Sequence, residues 1–400
     1  MAGLLYALWI LTFATTYALG IDCNANFTIS EESDAKELRE NCKIIGGDLT
    51  FEGNISENIN LDGVEEVRGS WSLNPLNSSG KVETLFNISS STLKLVDGLF
   101  YHRGPSGLER LVLPNLGNIS GPAYFDSMAN VTHIDFTNLV SIASLDLQTP
   151  RLQEFKINEL KGFTGNFSDR IFISDGGSVE SLDGLFKGPI APANGYLLPA
   201  ITIQKIPNIK QVTLGWKHIQ RAHISGQLWY QHWSPPPNIT LVLGGPDSET
   251  VHINELEIRE GVIGIERGSK TSNLSIGSFK SMNDMITDLR LPFHQVSEVA
   301  IRGDRMTSLE LPKEAEEWNN VSISIWLVRS LHLESSVNSE GRQTWHWPNQ
   351  NMSNFYILGD VSTNFLRNDE NNTKLQYHFI ASAPGLWGVY RDEGSAPRGL

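Results

Sequence analysis

Two clusters of tryptophan, tyrosine and histidine are the residues of this chain best suited to ligand chemistry. The first cluster runs over residues 216–233 and the second over residues 345–347. Flat aromatic side chains with polar edges can stack on sugar rings. The side chains that we identify as glycan contacts are Trp229, Tyr230, Trp233, Trp345 and Trp347. The same aromatic residues also suit packing under loops or at the ends of a fold, and the sequence leaves both interpretations open.

The histidines and cysteines lack the spacing of a metal centre. His218 and His223 have no third ligand at the spacing of a strong zinc motif, and Cys23 and Cys42 do not form a CxxC pair. The sequence also contains no GxSxG, HExxH, GxxxxGK[ST] or dinucleotide-binding glycine motif. We therefore predict no catalytic residues, no metal site and no cofactor.

Acidic clusters keep a catalytic alternative open, because secreted polysaccharide-cleaving enzymes use paired Asp or Glu side chains. Glu65 and Glu66 are adjacent, so on a strand they would point to opposite faces. Glu314, Glu316 and Glu317 lie in a polar stretch that predicts a loop. We interpret both groups as solvated surface. A β-helical hydrolase or lyase remains the main alternative to a non-catalytic protein.

Charge and composition narrow the classes of partner. The 400 residues include 31 Lys and Arg against 45 Asp and Glu, which gives a net charge of -14. Such a field repels phosphate backbones, so we predict no nucleic-acid partner. Hydrophobic residues make up 40% of the chain, which is enough to bury a sizeable core.

The amino-terminal residues predict secretion. Residues 1–20 carry no charged side chain, are rich in large apolar residues and end in small ones, as a signal peptide does. No later stretch is long and apolar enough to span a bilayer, so we expect an extracellular protein. An oxidising compartment favours a disulfide between Cys23 and Cys42. Within that loop, residues 34–41 have acidic residues early and Arg39 late, which predicts a short capped helix.

Asn-x-Ser/Thr sequons are the second indication of secretion, since they are far more frequent here than chance would give. Such acceptors are modified on exposed backbone of secreted chains, so their spread predicts a glycan-coated surface. The twelve acceptors are Asn26, Asn54, Asn77, Asn87, Asn118, Asn130, Asn166, Asn238, Asn273, Asn320, Asn351 and Asn371.

The elements that position these residues follow from an internal repeat. Its pattern is apolar-x-x-apolar-x-apolar, where x is any residue. In the first half the repeat occurs at Leu108, Leu111 and Leu113, at Val131, Ile134 and Phe136, and at Leu152, Phe155 and Ile157. In the second half it occurs at Ile286, Leu289 and Leu291, at Met306, Leu309 and Leu311, and at Val328, Leu331 and Leu333.

Each repeat predicts one short strand with alternating faces, which can bury its apolar face only by stacking on its neighbours. Leucine-rich repeats and all-β coils both have periods near this length. Helical periodicity is almost absent after Asn41, whereas pieces such as Ile171–Ile173 and Ile201–Ile203 are typical of strands. We therefore predict an all-β fold, a right-handed parallel β-helix or solenoid.

The repeat is interrupted once, by a Gly-, Pro- and Ala-rich stretch at residues 187–195. We therefore expect two tandem lobes, residues 21–188 and 196–382. Residues 383–400 contain Gly, Pro and Ser and predict a disordered tail.

The amino-terminal residues and the repeats resemble a known family. Cys23, the segment Thr28–Ser30, Cys42 and the segment Ile45–Phe51 are similar to the amino-terminal cap of receptor L-domains. More specifically, they resemble fungal GPI-anchored cell-wall organisation glycoproteins of the sporulation-specific and extracellular-mutant group. The family's repeat phrases are similar to Leu111–Leu116, Ile134–Leu139 and Ser181–Leu185.

The resemblance implies two leucine-rich-repeat-like L-domain lobes, heavy N-glycosylation and a non-catalytic role in cell-wall organisation or sporulation. The partners it implies are cell-wall polysaccharide or mannoprotein. Family members attach to the membrane through a hydrophobic GPI signal, whereas residues 386–400 here contain no such apolar stretch. The sequence therefore leaves two alternatives open, a freely secreted protein or a sequence truncated before its anchor signal. A receptor-type ectodomain with a soluble ligand is a further alternative.

Overall fold

The structure is a computed structural model of the chain. It describes residues 21–53, 55–74, 84–104, 106–158, 160–163, 170–187, 200–226, 238–303, 305–306 and 308–310, together with the backbone of residues 322–334 and 354–361. The predicted signal peptide, residues 1–20, and the predicted tail, residues 383–400, lie outside the described residues.

The described chain is almost entirely β-structure, with two helices, α1 (Glu32–Asn41) and α2 (Asp183–Phe186). Neither of these helices is long and apolar enough to cross a membrane. The strands before α2 are β1 (Phe27–Ile29), β2 (Ile44–Ile45), β3 (Leu49–Phe51), β4 (Ile59–Asn60), β5 (Glu66–Val67), β6 (Trp71–Leu73), β7 (Phe86–Ser89), β8 (Leu95–Val96), β9 (Phe100–Arg103), β10 (Leu108–Val112), β11 (Asn118–Asp126), β12 (His133–Asp135), β13 (Ser141–Leu147), β14 (Glu154–Lys156), β15 (Gly162–Phe163) and β16 (Arg170–Ser174). The strands after α2 are β17 (Ala200–Gln204), β18 (Gln211–Leu214), β19 (His218–Ile224), β20 (Ile239–Leu243), β21 (Thr250–Ile258), β22 (Val262–Arg267), β23 (Asn273–Met282), β24 (Asp288–Arg290), β25 (Gln295–Arg302), β26 (Ser308–Glu310), β27 (Ser322–Glu334) and β28 (Asn354–Val361).

The strands stack in parallel, one turn of the chain upon the next, which confirms the predicted β-solenoid. The main sheet runs through β1, β3, β6, β9, β11, β13, β16, β17, β19, β21, β23, β25, β27 and β28. A second sheet contains β4, β7, β10, β12 and β14, and a third contains β18, β20 and β22. Neighbouring turns are therefore about 4.8 Å apart, and each side chain lies against its counterparts one turn above and below.

The repeats of the first half form the second sheet. Leu111 of β10 pairs with Ile134 of β12, and Ile134 pairs with Phe155 of β14. Leu116 and Leu139, which close their repeats, are also buried. The predicted stacking of these apolar phrases is confirmed. It also brings the remaining strands of each turn against those of the next turn.

The repeats of the second half stack with one change of register. Leu289 pairs with Leu309, as the pattern predicts, but Leu309 pairs with Leu333 rather than with Leu331. The shift is of two residues, which is the period of a strand, so the pairing slides along β27 without exchanging its two faces.

The interior of the first half is a ladder of aromatic rings. The centroids of the Phe51 and Trp71 rings are 4.7 Å apart, and those of Trp71 and Phe100 are 5.4 Å apart. The Phe125 ring continues the ladder at 5.7 Å from Phe100. All four side chains are fully buried, so one continuous apolar core connects successive turns.

Helix α1 lies at the amino-terminal end of the coil, in the segment where the sequence predicts a helix. Ala35 and Leu38 are its buried residues. Arg39 Nη1 bonds Glu32 Oε1 at 2.5 Å and donates to the carbonyl oxygen of Asn60 in β4 at 2.8 Å. The predicted disulfide joins the cysteines that flank this helix.

The predicted boundary between lobes, residues 189–195, lies outside the described residues. On either side of it, β16 and β17 pair in parallel, from Arg170 with Ala200 to Ser174 with Gln204. The main sheet is thus continuous in hydrogen bonding between these two strands, and the division into two lobes stays a prediction.

Candidate functional site

The five predicted glycan-contact residues, Trp229, Tyr230, Trp233, Trp345 and Trp347, lie outside the described residues. Trp216, from the same cluster, is described and is fully buried. Its Nε1 donates to the carbonyl oxygen of Leu185 at 3.1 Å, and its ring makes edge contacts with Phe163 and Phe186. Trp216 is therefore a core residue, in line with the packing interpretation of the cluster.

Six of the twelve sequon asparagines are described, and they differ in access. Asn26, Asn118, Asn238 and Asn273 are exposed, whereas Asn87 and Asn130 are half-buried. The Nδ2 of Asn130, the atom that would carry a sugar, donates to the carbonyl oxygen of Ser106 at 2.8 Å. The remaining sequon residues, Asn54, Asn77, Asn166, Asn320, Asn351 and Asn371, lie outside the described part of the chain.

The side of the main sheet that points away from the core forms an extended polar surface, which we call the outer face. It consists of the outward side chains of β3, β6, β9, β11, β13, β16, β17, β19, β21, β23 and β25. Because the strands are in register, each outward residue meets the one a turn away. Thr50 Oγ1 lies 3.0 Å from Ser72 Oγ, and Arg103 Nε lies 3.2 Å from Asp126 Oδ2.

A pair of tyrosines lies at the centre of the outer face in the first half. Tyr101 pairs in register with Tyr124, and their ring centroids are 6.1 Å apart with an interplanar angle of 76°. Both are partly exposed. On the next turn, Gln148, which directly follows β13, donates from Nε2 to Asp146 Oδ1 at 2.9 Å. This arrangement, aromatic surface beside hydrogen-bonding groups, is suited to a sugar ring.

Charged and imidazole side chains occupy the outer face of the second half. Arg221 Nε donates to Glu255 Oε2 at 2.7 Å. Glu257 accepts from Arg259 Nε at 2.6 Å, and its other oxygen lies 3.4 Å from His223 Nε2. The Arg221–Glu255 pair thus joins adjacent turns across the sheet, whereas Arg259 and Glu257 pair along one turn.

A hydrogen-bonded chain of amide, imidazole and hydroxyl groups lies beside these pairs. Asn254 Nδ2 donates to Gln220 Oε1 at 2.8 Å, which leaves Asn254 Oδ1 to accept from His252 Nε2 at 2.7 Å. His252 Nε2 therefore carries a proton, and Nδ1 lies 3.2 Å from Ser275 Oγ. The ring of His218 lies 6.2 Å from that of His252.

Burial sets the protonation of two of these imidazoles. It lowers the pKa of His218 below the ordinary value, and the neighbouring His252 and Lys217 lower it further. Burial also lowers the pKa of His223, against the opposing effect of the Glu257 carboxylate. Both rings are therefore neutral at neutral pH. By contrast, the hydrogen bond from Arg221 lowers the pKa of Glu255 and keeps that group charged.

A shallow depression of about 330 Å³ lies at the corner where the chain enters β19, β21 and β23. We call it the corner depression, and its lining residues are Lys217, Pro246, Asp247, Glu249, Thr250 and Lys270. Its polar groups are two ammonium groups, two carboxylates and a hydroxyl, a set that can donate and accept hydrogen bonds around one ligand.

The adjacent carboxylates of the sequence do not converge on a reaction centre. Glu65 bonds Lys94 Nζ at 2.7 Å and lies 3.7 Å from Lys43 Nζ, whereas Glu66 bonds Arg68 Nε at 3.3 Å. The bond from Lys94 lowers the pKa of Glu65. The second acidic cluster, Glu314, Glu316 and Glu317, lies outside the described residues. Among the side chains that the structure describes, no three His, Cys, Asp or Glu form a metal site.

Sequence reasoning missed the tyrosine pair and the corner depression. A signal for the pair exists, because Tyr101 and Tyr124 are separated by one repeat period of 23 residues. No comparable signal marks the corner depression, whose lining comes from three turns of unequal length.

Comparisons of this chain with known protein families, with curated proteins and with solved structures each gave no match. The function of the chain is therefore proposed from its sequence and its geometry.

Proposed function

We propose that this chain is a secreted, N-glycosylated, non-catalytic protein of the cell surface or cell wall, which contributes to fungal cell-wall organisation or sporulation by binding wall polysaccharide or mannoprotein. The observation that carries the proposal is the outer face, with the Tyr101 and Tyr124 rings between paired polar side chains. The resemblance to fungal cell-wall glycoproteins agrees with this function.

The solenoid suits an extended polymer because its surface groups recur at every turn. Polar and aromatic side chains succeed one another about 4.8 Å apart along the main sheet. A polysaccharide lying along the sheet would meet a new row of donors and acceptors at each turn. Each contact is weak, but contacts that are linked along one chain reinforce one another.

The extracellular part of the proposal is supported by two features. Four sequon asparagines, Asn26, Asn118, Asn238 and Asn273, have exposed side chains that an oligosaccharide can occupy. The cysteines form a disulfide, a bond typical of chains that fold in an oxidising compartment. Attachment to the membrane would require a GPI anchor, as in the family that the sequence resembles.

Binding to insoluble wall material tests the proposal. We expect the chain to sediment with glucan, chitin or mannoprotein and to release no reducing sugar. Replacing both tyrosines, Tyr101→Ala with Tyr124→Ala, should weaken that binding about tenfold, or about 1.4 kcal/mol. Arg110→Ala is a matched control, because Arg110 is exposed on the second sheet. Equal binding by the tyrosine variant would contradict the assignment of the outer face.

A secreted polysaccharide-cleaving enzyme is the second candidate, and the corner depression favours it. Asp247 and Glu249 are two carboxylates that line one depression, as glycoside hydrolysis requires. This alternative predicts release of reducing sugar or unsaturated product from wall glycans. It also predicts that Asp247→Asn or Glu249→Gln abolishes the release, whereas the tyrosine variant retains turnover at saturating substrate.

A further inference from the structure

The corner depression lies directly beside one of the exposed sequon asparagines. Thr250, which lines the depression, pairs in register with Asn273 on the next turn. The backbone N–H of Asn273 donates to the carbonyl oxygen of Glu249, another lining residue, at 3.0 Å. Residues paired in parallel strands share one face, so the Asn273 side chain stands next to that of Thr250 at the rim.

The walls of the depression are fixed by hydrogen bonds between turns. Thr271 Oγ1 donates to the carbonyl oxygen of Ser248 at 2.7 Å, and the Ser248 hydroxyl donates to the carbonyl oxygen of Gly215. Gly244 has a φ of +104°, and a Cβ there would lie 1.9 Å from Thr271 Oγ1. A binding site at this corner is therefore preorganised, and a ligand that binds there does not have to order its walls.

The charged groups of the depression are open to a ligand. Within the described part of the chain, neither Lys217 Nζ nor Lys270 Nζ has a carboxylate oxygen within 4.0 Å. The carboxylates of Asp247 and Glu249 are likewise exposed. Unpaired donors and acceptors of both signs suit a neutral ligand rich in hydroxyl and amide groups, such as an N-acetylated sugar.

We infer that the corner depression binds the first sugar residues of an oligosaccharide attached to Asn273. The inference rests on the N-glycosylation in the proposed function. In that modification Asn273 Nδ2 bonds to C1 of the sugar, one amide proton leaves, and the lipid pyrophosphate that carried the oligosaccharide departs. Once attached, the sugar is held at high effective concentration, so a few weak hydrogen bonds suffice to seat it.

A glycan bound in the corner depression also keeps a wall polysaccharide out of it. The corner depression is then part of the folded glycoprotein, and the outer face of the first half, around Tyr101 and Tyr124, remains the surface for polymer. This assignment and the catalytic alternative for Asp247 and Glu249 exclude each other.

Timed removal of glycans from the native protein tests the inference. The full chain is produced in a eukaryotic secretory host, treated with peptide N-glycosidase, and followed by glycopeptide mass spectrometry. We expect release at Asn273 to be about tenfold slower than at Asn238, whose side chain is exposed next to β20. After denaturation the two sites should be released at equal rates.

Variants of the lining residues distinguish binding of the glycan in the corner depression from simple steric shielding by the protein. Lys217→Ala with Lys270→Ala should raise the rate at Asn273 to that at Asn238. Lys36→Ala, an exposed residue of α1, should change neither rate.

Three outcomes have distinct meanings. The inference would be overturned if glycans were released from native Asn273 and Asn238 at equal rates. It would also be overturned if release at Asn273 were slow but unchanged in the lysine variant. If Asn273 carries no glycan while other sequons do, the inference about the corner depression would also be overturned, and the proposed function would stand. A chain with no occupied sequon would overturn both.

Discussion

His102 is a titratable side chain placed in the middle of an aromatic core. Its Nε2 accepts a hydrogen bond from Trp71 Nε1 at 2.9 Å, and its ring lies 5.0 Å from that of Phe100 and 5.4 Å from that of Phe125. The ring is therefore neutral with its proton on Nδ1, which has no hydrogen-bond partner among the residues that the structure describes. Complete burial lowers the pKa of His102 to about 3.

This shift predicts a stability that depends on pH. The unfolded chain binds a proton at the ordinary histidine pKa near 6.5, whereas the folded chain binds it only near 3. Between these values the unfolded state binds more protons, so the free energy of unfolding falls as the pH is lowered from 6.5 towards 3. The loss across this window is on the order of 5 kcal/mol.

Denaturant unfolding at several pH values measures this effect, with His102→Gln as the comparison. Glutamine can still accept from Trp71 Nε1 but does not titrate, so the variant should lose stability less steeply over the same window. Carboxylates titrate in both proteins and cancel in the difference. Parallel curves for the two proteins would show that His102 does not carry the dependence.

At the scale of the element, a column of glycines allows successive turns to pack closely at one corner. Gly47, Gly69 and Gly98 lie just before β3, β6 and β9, and Gly121 continues the column within β11. A Cβ on Gly98 would lie 2.6 Å from the carbonyl oxygen of Gly69, and one on Gly121 would lie 2.3 Å from that of Gly98. These atoms are backbone, which cannot move without shifting a whole turn.

Gly98→Ala is therefore expected to destabilise the fold by about 1–3 kcal/mol, the usual cost of overpacking. Chemical unfolding measures the difference from the unmodified protein. Gly264→Ala is the matched control, because a Cβ there meets nothing within 4 Å. If both substitutions have the same effect, close packing of the column does not limit stability.

The sequence predicts the individual elements well where apolar spacing is regular. The phrases around Leu111, Ile134 and Phe155 become paired strands, and residues 34–41 fall within α1. The pairing of Leu309 with Leu333 could not be predicted, because a strand can slide by two residues and keep its buried face.

At the scale of the whole molecule, the chain combines a continuous apolar interior with a strongly acidic sequence. The net charge of -14 is spread over a protein whose outer face pairs some of its charges across turns, as Arg103 with Asp126 and Arg221 with Glu255. The excess negative charge therefore acts at long range and opposes the approach of anionic polymers.

Salt should consequently affect two kinds of wall polymer differently. Binding to a phosphorylated mannan should strengthen as the salt concentration rises from about 0.05 M to about 0.5 M, because the repulsion is screened. Binding to neutral glucan should change little. Sedimentation assays at several salt concentrations measure both. Weaker binding to the phosphorylated mannan at high salt would instead reveal a local cationic contact.

Local patterns in the sequence are enough to predict the class of fold, the disulfide and the side chains that point inward. These follow from short-range rules: the period of the apolar residues, and two cysteines that flank a predicted helix in a chain predicted to be secreted. The sequence also marked Trp216 as a candidate for function or for packing, and only burial in the fold assigned it to the core.

The tertiary structure decided which outward side chains meet. His218 and His252 are 34 residues apart, Tyr101 and Tyr124 are 23 apart, and each pair lies in register on adjacent turns. Likewise, Asn273 stands beside the corner depression because its turn stacks on Thr250. The physical reason is that alternation along a strand fixes which face a residue occupies, whereas its neighbours depend on how much chain each turn consumes before it returns to the sheet.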